Sequence, residues 1–233
     1  MDPLKLPIPI IYEDNHLLVV NKPAGILVQS DRTGDESLLE IMKDYIKVTY
    51  KKPGNVFLGL PHRLDRPVSG VVVLAKTSKA LERINEQFRK KMVDKIYWAL
   101  THSTPPEMNG KLTHWLIKDH KKNIVSVAKK QKKDAVNAEL EYEVIGKISD
   151  EHLIEVKLIT GRFHQIRVQL KSVGCPIVGD VKYGFGKPNR DGSICLHARR
   201  IHLIHPVKKE AVIFEADLPE KNWNNFQSFQ DNI

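Results

Sequence analysis

Apolar and polar residues along the chain fall into short blocks, and the blocks change period. The run Leu17–Val20 ends in Asn21-Lys22-Pro23, which reads as a strand leaving through a turn, because proline cannot donate to a central ladder. Residues 38–48 carry a short helical pattern. Residues 70–76 form a compact β-branched run, a buried strand by length and composition. Thr77 or Ser78 then offers an N-cap, and Leu81, Ile84, Phe88 and Met92 follow at helical spacing over about four turns. Residues 94–100 return to strand. Ala138, Leu140, Tyr142 and Val144 alternate with acids and Asn, the mark of a half-buried strand, and residues 152–160 form another. Gly161 opens a helix whose Phe163, Ile166, Leu170 and Val173 share a face, and Gly174 and Pro176 stop it. Residues 194–203 and 211–218 are again strand.

Strands dominate this order and helices are inserted without regular alternation. A doubly wound parallel sheet is therefore disfavoured. The pattern predicts an α+β fold with a large, mostly antiparallel mixed sheet flanked by helices and loops. Neither an internal repeat nor a Gly/Ser linker occurs, so residues 1–233 read as a single domain.

Composition narrows the class. Apolar residues make up 41% and charged residues 28%, a globular balance rather than a disordered one. No apolar run approaches the ~20 residues that span a bilayer. The segment Met1–Ile11 is too short and proline-rich for a signal peptide. Two cysteines, Cys175 and Cys195, rule out a disulfide scaffold, and free thiols fit a reducing cytoplasm.

Charge changes the picture further. Lys and Arg number 37 against 28 Asp and Glu, a net of +9, which points to a polyanionic partner such as nucleic acid. The excess is clustered. Residues 111–133 hold eight lysines and one acid, and residues 162–209 hold ten Lys or Arg and two acids. The run Lys129, Lys130, Lys132, Lys133 reads as an exposed hairpin or loop.

Two clusters are candidates for chemistry. In HRLDRPVSG, residues 62–70, Asp65 sits between Arg63 and Arg66 directly before a buried strand. A carboxylate there serves equally well as a reactive group on a rigidly held loop or as an ion pair fixing a turn. In GRFHQIRVQL, residues 161–170, Arg162, His164, Gln165 and Arg167 crowd the start of the expected helix. Cations oppose the macrodipole at that end, so an anionic partner is implied, either a substrate phosphate or the Asp65 carboxylate. Metal-ligand spacings, a phosphate-binding glycine loop and a dinucleotide fingerprint are absent, so no metal or nucleotide cofactor is expected.

Taken together, HRLDRPVSGVVVLAK, GRFHQIRVQL, YEDNHLLVVNKPAG and GDVKYG resemble the RluA-type pseudouridine synthase family, over about Tyr12 to Pro206. The resemblance implies the pseudouridine synthase fold, with an active-site cleft across the sheet. It implies isomerisation of specific uridines in tRNA or rRNA to pseudouridine, without cofactor or metal, by a monomer in the cytoplasm. Asp65 matches the family's essential aspartate, acting as nucleophile at the anomeric carbon or as base at the ribose. Tyr97 matches the tyrosine that packs on the target base. Arg167 matches the basic residue that pairs with the carboxylate, and Arg63 an arginine that helps displace the target nucleotide. His62, Arg162, His164 and Gln165 fall in the same motifs as RNA contacts or supports, and Leu64, Ile166 and Leu196 as apolar walls. Val68 and Gln169 stand where many members have threonine and histidine. With Tyr12 so near the start, no separate N-terminal RNA-binding module is expected. The lysines at 129, 130, 132 and 133 would then supply RNA binding, and tRNA is slightly favoured over rRNA as substrate.

Overall fold

The computed structural model describes residues 8–232; the first seven residues of the expected non-signal N-terminal segment lie outside it. The chain clusters into two compact units, Met1–Val93 with Ala198–Asp217, and Asp94–His197 with Leu218–Ile233.

In the first unit, β1 (Ile10–Glu13), β2 (Leu17–Lys22) and β3 (Ser69–Ala75) pair antiparallel in sequence order. Beside β3 runs β9 (Leu196–Ile204), whose first two residues belong to the second unit, and β10 (Ala211–Glu215) pairs antiparallel with β9. Every residue of β3 is buried, as suits the β-branched run Val71–Val73 at its centre. Two helices accompany these strands. Helix α1 (Leu38–Thr49) starts in a full capping box, in which Ser37 and Glu40 satisfy each other's backbone N–H groups. Helix α2 (Ser78–Arg89) is capped by the Thr77 side chain. Its Ala80 and Ile84 enter a core with Leu17, Val19, Val71, Val73, Ile201, Leu203 and Phe214. This helix is shorter than the periodicity predicts. Lys91 takes a left-handed conformation (φ 56°) just past the cap, and Met92 lies outside, half exposed.

In the second unit the order is β4 (Asp94–Thr101), β8 (Glu151–Leu158), β7 (Val136–Ile148), β5 (Asn109–Asp119), β6 (Ile124–Ala128), all antiparallel. Hairpin β5–β6 accounts for the first lysine-rich stretch. Lys129, Lys130, Lys132 and Lys133 lie in the exposed loop from β6 to β7. Helix α3 (Gln165–Ser172) begins four residues later than Gly161. His164, at φ 52°, breaks the helical path, so Phe163 stands outside the helix rather than on its apolar face. The helix is buried from Gln165 to Leu170, and Val168 packs with Leu116, Val125, Ala138 and Tyr183. Tyr183 ends a 3₁₀ turn, Val181–Tyr183, inside the GDVKYG motif.

The α+β class and the antiparallel strand character hold as read. Among the described residues no helix is long and apolar enough to cross a membrane. Cys175 and Cys195 are free and buried, and burial pushes the Cys195 thiol up to about 12.

Candidate active site

Asp65 and its motif lie in the first unit. The segment 62–68 is irregular and feeds directly into β3. Its turn is closed by the Val68 N–H donating to the Asp65 carbonyl at 3.1 Å. Arg66 faces outward, where its Nη1 meets Asp35 at 2.8 Å and its Nε donates to the Gly25 carbonyl at 2.9 Å. Arg63 is exposed and Asp65 half-buried. His62 accepts the Val73 N–H on Nε2 at 3.0 Å and stacks on Phe88, so its ring braces the loop against β3 and α2.

The loop is held from below by a residue that motif reading left without a role. Lys22, at the end of β2, is fully buried. Its ammonium donates to the carbonyls of Pro23 and Ile26, both at 2.9 Å, and to that of Arg66 at 3.3 Å. It thus ties the NKPAG turn to the residue next to Asp65. Burial pushes its pKa down to about 7, while the Asp65 carboxylate works the other way and favours the charged amine. The only local sign was a lysine at the end of an apolar strand.

Gly70 permits the strand to begin where it does. Its φ is +117°, and a Cβ there would run into the backbone nitrogen and carbonyl oxygen of Ala198. Only glycine allows that approach five residues after Asp65.

Tyr97, Arg167 and the GRFHQIR segment lie in the second unit. Tyr97 is half-buried in β4, opposite Val156 of β8. Arg167 is buried in α3, and Asp180 grips it with two bonds, Nε to Oδ2 at 2.7 Å and Nη2 to Oδ1 at 2.9 Å. This carboxylate, from GDVKYG, is itself buried and fixes the guanidinium plane. No expectation named it.

The residues around Arg167 are anchored in turn. Gln165 accepts from the Thr160 hydroxyl and the Arg162 N–H and donates to the Glu139 carbonyl. The Tyr183 hydroxyl accepts the Val125 N–H at 2.9 Å and shares a second hydrogen bond, of 2.8 Å, with His164 Nδ1. Burial, helped by the cations of Arg167, Lys182 and Lys118, pushes His164 down to about 3, and its ring stays neutral. His164 and Gln165 are thus buried and bound internally. Of the two roles expected of them, this suits supports of Arg162 and Arg167. Arg162 is exposed, its Nε bonded to the Asn137 carbonyl. Gln169 is buried and donates to the carbonyls of Leu112 and Ala138.

The family model described as RNA pseudouridylate synthase matches residues 16–172. The chain belongs to that family. Asp65, Tyr97 and Arg167 all fall inside the matched stretch, while Asp180 and Tyr183 lie beyond it. Among curated synthases, the chain is 35% identical to ribosomal large subunit pseudouridine synthase C of Buchnera aphidicola subsp. Baizongia pistaciae, over 90% of this chain and 66% of that protein. It is 31% identical to ribosomal large subunit pseudouridine synthase D of Zymomonas mobilis, over 94% and 72%. The chain spans about two thirds of the length of these relatives. Among solved structures, the human RNA pseudouridylate synthase domain containing 4 superposes with a TM-score of 0.76 at 27% identity, covering 91% of this chain and 88% of that one. The resemblance to RluA-type synthases and the corresponding fold are borne out.

Proposed function

We propose that this chain is an RNA pseudouridine synthase that isomerises specific uridines, with Asp65 as the catalytic carboxylate. One observation carries the reading: a family-matched loop holds this aspartate between a braced histidine and a buried lysine, at the mouth of a fully buried strand. A carboxylate so fixed suits a reaction that breaks and remakes a glycosidic bond, in which a displaced nucleophile or base loses most of its effectiveness. Tyr97 would pack on the target base, and Arg167, oriented by Asp180, would be the basic residue of the family's catalytic set. Arg63, exposed beside Asp65, would fill the place of a uridine turned out of its stack. The loop lysines at 129, 130, 132 and 133 would track the phosphates.

The two bacterial relatives named above carry names that refer to the large ribosomal subunit, and neither refers to tRNA. Large-subunit rRNA is therefore the first substrate to test, ahead of the tRNA that the sequence alone slightly favours. The test incubates the purified protein with large-subunit rRNA and with tRNA transcripts and maps pseudouridine by chemical adduct and primer extension. A discrete new stop with wild type and none with Asp65→Asn supports the reading. No new pseudouridine in either RNA counts against it.

A further inference from the structure

Phe163 is a large apolar side chain standing at the surface, 37% exposed, directly before a run that is buried from His164 to Leu170. Isolated exposed hydrophobics are ordinary. This one is held unusually firmly. Its ring stacks on His164 at 3.8 Å between centroids and 21° between planes. His164 is buried and locked to the Tyr183 hydroxyl, which is tied to the backbone of β6. The left-handed turn at His164 sets Phe163 off from the helix. The ring is thus mounted on the core of its unit rather than on a loose loop.

Cations surround this mount. The Lys118 ammonium lies over the Phe163 ring, 4.0 Å from its centroid. Lys182 reaches the Asn123 carbonyl at the β5–β6 turn, at 3.2 Å. Arg162 precedes Phe163 and is exposed. The charges of Lys118, Lys182 and Arg167 all act on His164, which stays neutral and adds none of its own. Of the nearby acids, Asp180 is committed to Arg167, and Asp119 accepts the backbone N–H groups of Lys121 and Lys122. The surface therefore offers an aromatic face beside lysines whose charge these acids do not cancel.

We propose that this patch binds one nucleotide of single-stranded RNA, its base stacked on Phe163 and its phosphate held by Lys118 and Lys182. The proposal rests on the RNA-modifying reading above and extends it to a nucleotide-binding site distinct from the Asp65 loop. In the free protein Lys118 occupies the ring face as a cation–π contact. When RNA arrives, the flexible lysine moves to the phosphate and the base takes its place on the ring. Stacking of this kind tolerates any base and requires an unpaired one, so duplex RNA is excluded.

The test measures binding of oligouridylate, and of an RNA duplex of equal length, to the full chain over a range of salt. Phe163→Leu keeps apolar packing on His164 but removes the aromatic face. It should weaken oligouridylate binding roughly tenfold and leave duplex binding unchanged. The double variant Lys118→Ala, Lys182→Ala should flatten the slope of log K against log salt by about 0.7 for each phosphate no longer neutralised. Near-UV circular dichroism checks that both variants are folded. Unchanged oligouridylate affinity in Phe163→Leu, or equal losses on single strand and duplex, overturns the proposal. Pseudouridine formation by wild type, abolished in Asp65→Asn, tests the catalytic reading separately. Failure there would overturn the catalytic role of Asp65, while the oligouridylate result would still decide whether the patch binds RNA.

Discussion

Arg167 and Asp180 meet as a buried ion pair joined by two parallel bonds of 2.7 and 2.9 Å, thirteen residues apart in the chain. The pair fixes the plane of the guanidinium through two of its three nitrogens. Removing one partner strands a buried charge. Asp180→Asn should destabilise the protein by about 3–5 kcal/mol, read as a lowered urea midpoint at unchanged slope. If Asp180 also orients Arg167 for catalysis, the folded fraction of Asp180→Asn loses kcat. A variant as stable as wild type would mean that the pair contributes no net stability.

Lys22 makes stability depend on pH. The folded chain releases this proton near pH 7, whereas an ordinary lysine holds it to 10.5. Between those values the unfolded chain binds more protons than the folded one, so stability contributed by this group rises with pH from 7 toward 10.5. Lys22→Met should abolish that rise, seen by comparing urea midpoints of both proteins at pH 7 and pH 9. It also leaves three carbonyls without their donor, at a cost of about 1–3 kcal/mol. Parallel pH dependences in the two proteins would contradict the account.

Gly70→Ala places a Cβ against the Ala198 backbone at a positive φ. Neither side can yield without moving β3 or β9, so the loss should reach roughly 3 kcal/mol or more. Thermal unfolding followed by circular dichroism measures it, and a shift of melting temperature near zero would show that the strands move apart freely.

Tyr183→Phe removes the hydroxyl between the Val125 N–H and His164. Two buried polar groups then lose a partner, for about 1–3 kcal/mol. In wild type, nitrogen NMR should show the His164 ring neutral across pH 5 to 8, given a pKa of about 3. Titration of that ring near pH 6.5 would refute the assigned network.

Much of the fold was legible because it is written locally. The run Leu17–Val20, the β-branched run within β3 and the Thr77 cap each carry their own signal, and each element forms where that signal lies. Helix α3 was misread at its start because the apolar spacing runs on through Phe163. What ends the helix there is the left-handed His164, held by a tyrosine nineteen residues away that no local window contains. The candidate site divides the same way. The loop around Asp65 and the segment around Arg167 stood out as dense polar motifs. Lys22 and Asp180 did not, because a lysine bound to three carbonyls and an aspartate bound to a distant arginine have no local signature.

Asp65 is proposed to carry pseudouridine formation in RNA. Pseudouridine mapping of total RNA, from cells with the protein, without it, and complemented with Asp65→Asn, tests this most directly. A defined signal should disappear without the protein, return with wild type and stay absent with Asp65→Asn. An unchanged pseudouridine map in all three, or full restoration by Asp65→Asn, would contradict it.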